Sequence, residues 1–594
     1  MGSWGRSNVH GRDGHRRHQR AVLARPDVAA QEVLREVMAV IVECSIQGLL
    51  RLVGKKMTNE ELEDALFLLK AEVEKIEGDL IEIEINPDRQ DMLSEEGIAR
   101  ALRAFLGIAP GLPSFPVRKS GKKVVIKKGL EKVRRYIACG IVKGVEMSDQ
   151  LLKDYMRLQE SLTATHGRNR RKASIGLYVY GDIKFPVVYR TERPEKIRFV
   201  PLGCNSEMDG PQILREHEKG IEYGPIIADF KRWPLLVDAA NHILSLPPII
   251  NSNDLGRLTE KTRDVFVEVT GTHLPTVEQA LNIMVTSLAE RGGRIQSVTM
   301  EYPDGTTMET PNLRPTNITI DLDEIRRLTG LALSGEDIVE ALEKMNYGAR
   351  LSGKNRVAVS VPAYRTDILH PVDIIEDVAI GYGFDRIEPT LPSTMTAGAL
   401  RPLTRLKNKC RDLMIGAGYQ EIMSYVMSSP EVLNDKMQRN QPIVQVGNPK
   451  SQDYSALRNS LLPVLLDFAA RNQHADYPQK VFEVGDVVIP DESRETRVRQ
   501  EAAVCGLLTD VRVNLTDLMT DIGFLLRGMG LDGRFRFETR SDSSFIKGRA
   551  GTIVVDEQEV GYFGEVAPEV LVNFEMGRPV VAFELLLPES GSWS

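Results

Sequence analysis

Cysteine is scarce and scattered. The chain has five among 594 residues (Cys44, Cys139, Cys204, Cys410 and Cys505), and no two stand at metal-ligand or redox spacing. That excludes a disulfide-stapled or zinc-ribbon architecture and fits reduced thiols in a cytosolic protein. No run approaches 18 consecutive apolar residues, which excludes a membrane-spanning helix. There is no excess of positive charge either, because 76 Lys and Arg against 83 Asp and Glu leave a net charge of −7. A chain-wide nucleic-acid surface is thereby excluded, though a local basic patch is not. What is present is an ordinary globular composition, 42% hydrophobic and 27% charged, on a chain too long for one core. Three to five domains follow.

Residues 1–37 stand apart, with seven Arg, three His and little apolar periodicity before Val33. They read as an organellar transit peptide, as a disordered extension, or as an upstream start joined to a chain that begins at Met38. From Met38 the pattern becomes a strand followed by a short helix.

Thr58-Asn59-Glu60-Glu61 is a capping box. The helix it opens is expected to carry Leu62, Ala65, Leu66, Leu69 and Val73 on one face and to end at Gly78. IEIEI (81–85) alternates as a half-buried strand, and a turn at 86–93 leads to a helix around 95–106. A Gly/Pro-rich linker follows to Gly121. Residues 122–303 mix strands (VVIKK, YIACGIVKGV, DVFVEVTGT) with helices near 148–161 and 276–291, the latter expected to be capped by Thr276 and closed by Gly292-Gly293. A third unit runs from about Leu313 to Pro389, and the last opens with an amphipathic helix at 403–416.

The chain repeats itself once. Ser334-Gly335-Glu336-Asp337 opens a helix as Thr58 does, the alternating strand VAVSV follows, and Arg365-Thr366-Asp367 matches Arg89-Gln90-Asp91. The cap-to-Arg distance is 31 residues in both copies. Matched strings in matched context point to two copies of one small helical/β module with a domain inserted between them.

In the second copy the helix after the turn reads Asp373-Ile374-Ile375-Glu376-Asp377. Positions i, i+3 and i+4 share a helical face, so these carboxylates are expected to converge, with Asp367 joining from the turn. A hard cation would relieve their repulsion, and oxygen-only ligation suggests Mg²⁺. Acids in a first helical turn also serve the helix dipole alone.

The string PAYRTDILHPVDIIEDVAIGYGFDRIEP (362–389) resembles the B5 domain of phenylalanyl–tRNA synthetase β subunits. Further strings agree in order: NPDRQDMLSEEGIARAL (86–102), WPLLVDAANHILSLPPIINS (233–252), VFVEVTGT (265–272), NPKSQDYSALRNSLLPVLL (448–466), QKVFEVGDV (479–487) and GYFGEVAPEV (561–570). Nearly everything after residue 37 is similar to that family, in its archaeal/eukaryotic form. The resemblance implies an α+β multidomain fold: repeated small helical/β modules flanking an inserted editing-type domain, then a degenerate class II synthetase-like antiparallel sheet with helices. The implied limits are an N-terminal module at 38–120, an editing (B3/4-type) domain at 121–305, a B5 domain at 306–392 and a catalytic-like domain at 393–594.

The resemblance also implies a Mg²⁺ held by Asp367, Asp373, Glu376 and Asp377. It implies an α-subunit partner in a tetramer of two α and two β subunits that joins phenylalanine to tRNA(Phe) with ATP in the cytoplasm. The aminoacylation site is expected on α, because Arg458 (in LRNSLLP) and Glu483 (in VFEVGDV) do not form the Arg-x-Glu pairing of a working class II site. GMGLDGRFR (528–536) reads as a turn rather than a Gly-rich ATP motif. For the inserted domain the resemblance implies hydrolysis of tyrosine misattached to tRNA(Phe), since a pocket for phenylalanine cannot strongly reject an added hydroxyl. The matching positions are Leu236, which would wall the ring, Ser245 and Thr270, which would hold substrate or water, and Glu268, which would accept the phenol. Archaeal relatives more often carry Asp where Glu268 stands. Glu268 and Thr270 are equally the polar face of an alternating strand. The basic loop His166–Lys172 suits either a tRNA backbone or a solvated turn, and His166 has no Ser or Cys partner to make it a nucleophilic base. The other reading of the chain is a stand-alone editing or tRNA-binding protein made from the same modules.

Overall fold

The computed structural model describes residues 40–393 and 396–593, so the readings of residues 1–37 lie outside the described residues. The chain divides into two compact units that meet in sequence at Thr390 and Leu391.

The first unit contains the repeat. Strand Val40–Ser45, helices Ile46–Val53 and Asn59–Leu68, strands Ala71–Glu77 and Leu80–Ile85, and helix Glu95–Phe105 form one copy. Strand Thr316–Asp321, helices Leu322–Thr329 and Gly335–Lys344, strands Gly348–Leu351 and Arg356–Val361, and helix Pro371–Tyr382 form the other. Each builds a three-stranded antiparallel sheet with its last strand in the centre. Thr58 and Ser334 both close capping boxes. The helix that Thr58 opens is shorter than the sequence reading has it. It ends at Leu68, Lys70 turns left-handed (φ 65°), and AEVEKIE forms a strand that contains Val73, with Gly78 in the hairpin turn. Its period-two alternation outweighs its helix propensity once a sheet neighbour is present. Asn346, at the equivalent place in the second copy, has φ 64°.

Between the copies lies a ten-stranded sheet. Nine of its strands form a continuous path from Ile250–Asn251 at one end to Ala173–Val179 at the other. The sheet curls enough for its ends to meet, and Asn251 Nδ2 donates to Leu177 O at 3.4 Å. Helices Asp149–Ala164 and Leu274–Glu290 accompany it, the second packed on the sheet through Leu281, Met284, Val285 and Leu288. The latter helix starts earlier than the capping pattern suggests. Its N-cap is His273, whose Nδ1 lies 2.9 Å from Thr276 Oγ1, so Thr276 sits inside the first turn.

In the second unit a seven-stranded sheet has helices Pro402–Gly416 and Leu515–Gly528 in one core and Leu462–Arg471 and Pro568–Asn573 in another. All its pairings are antiparallel except that of the short strand Gln420–Glu421. Gly530 and Gly533 turn left-handed (φ 84° and 71°) between Leu515–Gly528 and strand Phe535–Thr539, so GMGLDGRFR is a turn.

Candidate functional site

Where the curled sheet nearly closes, a cavity of about 690 Å³ opens against helix Asp149–Ala164. Its lining includes Arg170, Ser174, Ser245, Asn251 and Glu268. Glu268 lies on the central part of strand Asp264–Gly271, opposite Gly176 on one neighbour and Cys139 on the other. It is 2% exposed. Burial pushes its carboxyl up to about 7, against the lowering influence of Tyr178, Thr270 and Arg134. Tyr178 Oη donates to Glu268 Oε2 at 2.9 Å. Glu268 Oε1, Ser245 Oγ and Arg170 Nε are buried without a hydrogen-bond partner. Three unmet polar atoms around one cavity are what a recognition site offers before its ligand arrives.

The four residues expected here separate into two pairs. Ser245 and Glu268 line the cavity. Leu236 is paired opposite Ser245, yet it lies in the core with Tyr178 and Phe266 and does not reach the lining. Thr270 shares the sheet face of Glu268, but its hydroxyl accepts from Arg134 Nε at 3.0 Å and it too stands behind the cavity wall. Motif position does not give depth behind the cavity wall.

Two arginines back the cavity; the sequence reading did not single out Arg134 and met Arg170 only as one charge of the basic loop. Arg134 is fully buried and donates to Thr270 O, Ser174 Oγ and Arg170 O at 2.6, 2.9 and 3.0 Å. Burial lowers it to about 10. Arg170 belongs to the basic loop, which is neither simply solvated nor wholly outward. Arg168, Asn169 and Arg170 are consecutive left-handed residues (φ 49°, 49° and 65°), and the turn sends Arg170 inward. There its Nη1 donates to Pro248 O and Ile249 O, and its guanidinium stacks over Tyr223 at 4.0 Å. His166 Nε2 lies 3.0 Å from Gln279 Oε1, and burial lowers its pKa.

The carboxylate helix differs from its expectation. Asp367 and Asp377 do converge, but on Arg365, whose Nη2 lies 2.6 Å from each. Asp377 also accepts from Tyr347 Oη. Asp373 folds back as the capping-box acid, accepting from the backbone of Leu369 and His370 at 2.8 and 2.7 Å. Glu376 points outward to Lys70 of the first copy at 2.9 Å. Among the described residues no group of three or more His, Cys, Asp or Glu side chains is placed to hold a metal. As arranged, the four carboxylates face separate partners, a guanidinium, the backbone N–H groups of Leu369 and His370, and Lys70, rather than one shared cation.

The first copy repeats the device. Arg89 Nε and Nη2 hold the Asp91 oxygens at 2.9 and 3.0 Å, as Arg365 holds Asp367. Burial would raise Asp91, but Arg89, with Arg365 beyond it, holds it at about 2. The two pairs are near enough to feel each other's charge, so a buried four-charge cluster lies where the copies meet.

In the second unit Arg458 and Glu483 do meet, at 2.7 Å and almost wholly buried, with Ser424 between them. Distance in sequence hid this pair. Arg458 also donates to Asp486 O and packs over Gly485, so it acts as an internal brace. Glu584 accepts from Ser460 Oγ, Tyr562 Oη and the backbone of Leu461 and Leu462 at 2.6–3.1 Å, capping helix Leu462–Arg471.

Residues 318–384 match the family described as the tRNA synthetase B5 domain, and residues 387–587 the phenylalanyl tRNA synthetase beta chain CLM domain. A phenylalanine–tRNA ligase beta subunit of Pyrococcus furiosus is 41% identical over 544 residues, spanning 90% of this chain and 97% of the relative. That of Korarchaeum cryptofilum is 39% identical over 541 residues, 90% and 96% of the two chains. Among solved structures, an N-terminal fragment of the phenylalanyl-tRNA synthetase beta subunit from Pyrococcus horikoshii matches with a TM-score of 0.56 and 41% identity, over 58% of this chain and 99% of the fragment. The class so defined is a multidomain aminoacyl-tRNA synthetase subunit. The chain belongs to the phenylalanine–tRNA ligase beta-subunit family. No helix among the described residues is long and apolar enough to cross a membrane.

Proposed function

We propose that this β subunit works with a catalytic α subunit, as a cytoplasmic tetramer of two α and two β chains, to join phenylalanine to tRNA(Phe). ATP and its accompanying Mg²⁺ act on the α subunit. The β chain supplies an N-terminal module (38–120), a proofreading domain (121–305), a B5 domain (306–392) and a class II-like domain (393–594) that carries no aminoacylation chemistry. The use of Arg458 as an internal brace supports that last assignment, since a phosphate-binding arginine must be free to meet its ligand. The purified chain alone should form no phenylalanyl-adenylate from ATP and phenylalanine.

The cavity is the proofreading site, and it hydrolyses tyrosine esterified to tRNA(Phe). The observation that carries this reading is Glu268 Oε1, a buried acceptor with no partner beside the equally unmet Ser245 Oγ. A phenol satisfies that acceptor, whereas a phenylalanyl ring leaves it bare, so the site selects for the hydroxyl that the synthetic site cannot reject. Lys219 and Arg257 at the rim supply positive charge for the tRNA end. With Glu268→Ala in the assembled enzyme, Tyr–tRNA(Phe) should persist; hydrolysis at the wild-type rate would sink the assignment.

A further inference from the structure

Selection by a single acceptor requires that the acceptor be fixed, and a glutamate is poorly suited to that unaided. Its carboxylate swings on three side-chain torsions, one more than aspartate has. Both oxygens of a mobile carboxylate would meet the cavity in turn and would accept water as readily as a phenol.

Tyr178 restrains it. This residue lies on strand Ala173–Val179, fully buried, with its ring 5.9 Å from that of Phe266. Its hydroxyl holds Glu268 Oε2 at 2.9 Å and stands 3.2 Å from Asn251 Oδ1. Asn251 is fixed in turn by its contact with Leu177 O, across the closure of the sheet. The one phenolic proton goes to Glu268 when the carboxylate is ionised. When Glu268 is protonated it donates to Tyr178, and Tyr178 donates to Asn251. Gly176, opposite Glu268 in the ladder, makes room for this arrangement. A Cβ there would lie 2.5 Å from both Glu268 Oε2 and Tyr178 Oη. Of the two oxygens, then, Oε2 is committed and Oε1 is not.

We propose that Tyr178 is the positioning residue of the discriminating carboxylate: it pins Glu268 Oε2 over Gly176 so that Oε1 alone is presented to the hydroxyl of a tyrosyl ester. The inference rests on the reading of the cavity as a proofreading site. On this account the incoming phenol is the second one on a carboxylate whose other oxygen the protein's own tyrosine already holds.

The test is Tyr178→Phe in the assembled two-subunit enzyme, beside wild type and Glu268→Ala, with hydrolysis of Tyr–tRNA(Phe) and Phe–tRNA(Phe) measured from pH 5.5 to 8.5. The groups that face Glu268 are Tyr178 and Cys139 on the adjacent strands, Arg134 from the loop before Tyr136, and Tyr189. Thr270 also favours the ionised carboxylate, and Tyr178→Phe leaves it and these other groups in place while removing the hydroxyl's bonds to Glu268 and Asn251. The kcat/KM preference for the tyrosyl ester should fall about tenfold, the scale of one misplaced hydrogen bond. The pH midpoint of hydrolysis should move upward, a change that mere loosening of the fold would not produce. Unchanged preference and unchanged midpoint in Tyr178→Phe, with Glu268→Ala inactive, overturn the inference and leave the proofreading site standing. Hydrolysis as in wild type by Glu268→Ala, or none by wild type, overturns the proofreading reading and the inference with it. Should Tyr178→Phe lose its fold, Asn251→Ala, which removes the acceptor that the hydroxyl uses when Glu268 is protonated, should move the pH midpoint downward; no shift overturns the inference.

Discussion

Arg365→Met removes the guanidinium between Asp367 and Asp377. The side chains of Arg365, Asp367 and Asp377 are 1%, 11% and 7% exposed, so water cannot take its place without opening the module. Taking one partner from a buried ion pair costs about 3–5 kcal/mol, because the remaining charge stays desolvated. The partial exposure of Asp367 and the hydrogen bond from Tyr347 to Asp377 point to the low end, about 3 kcal/mol. Native-state hydrogen exchange on the full chain is the assay, since two units need not unfold as one. Amides of Arg356–Val361 and Pro371–Tyr382 should exchange roughly a hundredfold faster, with helix Pro402–Gly416 of the other unit as the internal reference. The triple variant with Asp367→Asn and Asp377→Asn should recover most of the protection, because neutral amides do not need the guanidinium. EDTA or millimolar Mg²⁺ should leave wild-type exchange unchanged. If Arg365→Met exchanges like wild type, or if EDTA alone produces the loss, the counter-ion of these carboxylates is a metal and the reasoning is wrong.

Glu268→Gln should stabilise the inserted domain at high pH while destroying discrimination. Its carboxyl sits near 7 when folded against 4.5 as a free group, so the unfolded state releases that proton first. Stability from the protonated form is complete below 4.5 and is lost as pH rises toward 7, by about 3 kcal/mol in all. The variant should therefore gain on wild type between pH 5 and 8 by urea titration; an equal difference at both pH values would contradict the burial argument. Glu584→Ala orphans two backbone N–H groups at a helix start and leaves the Ser460 and Tyr562 hydroxyls only each other, and should cost about 3 kcal/mol in thermal unfolding of the second unit. Lys70→Met, by contrast, breaks a pair whose side chains are 30% and 55% exposed. It should cost less than about 1 kcal/mol, and a larger loss would mean that this link holds the two copies together.

The repeat was legible because its signals are local. A capping box, a period-two strand and an Arg-x-Asp turn each fold within a few residues, so equal spacing in sequence becomes equal placement in space. The agreement extends to Lys70 and Asn346, two non-glycine residues that share one left-handed conformation. Strand Ala71–Glu77 was missed for a related reason: its alternation is plain only when Leu80–Ile85 is recognised as its partner. Resemblance, rather than alternation, pointed to Ser245 and Glu268, which line the cavity, and to Leu236 and Thr270, which do not.

Sequence alone thus determined the repeat, the capping boxes at Thr58 and Ser334 and the family. Only the tertiary structure decided what each charge faces. Asp373, Glu376 and Asp377 are adjacent in helical projection and Asp367 lies in the turn before them, yet one guanidinium, the backbone ahead of the helix and one lysine from a copy some 300 residues away divide them. Glu268 is one polar position on an apolar strand until Tyr178, Asn251 and Gly176 close around it. The physical reason is range. Caps and periodicity act over a turn or a strand, whereas desolvation and ion pairing depend on which distant segments the packed core brings into contact.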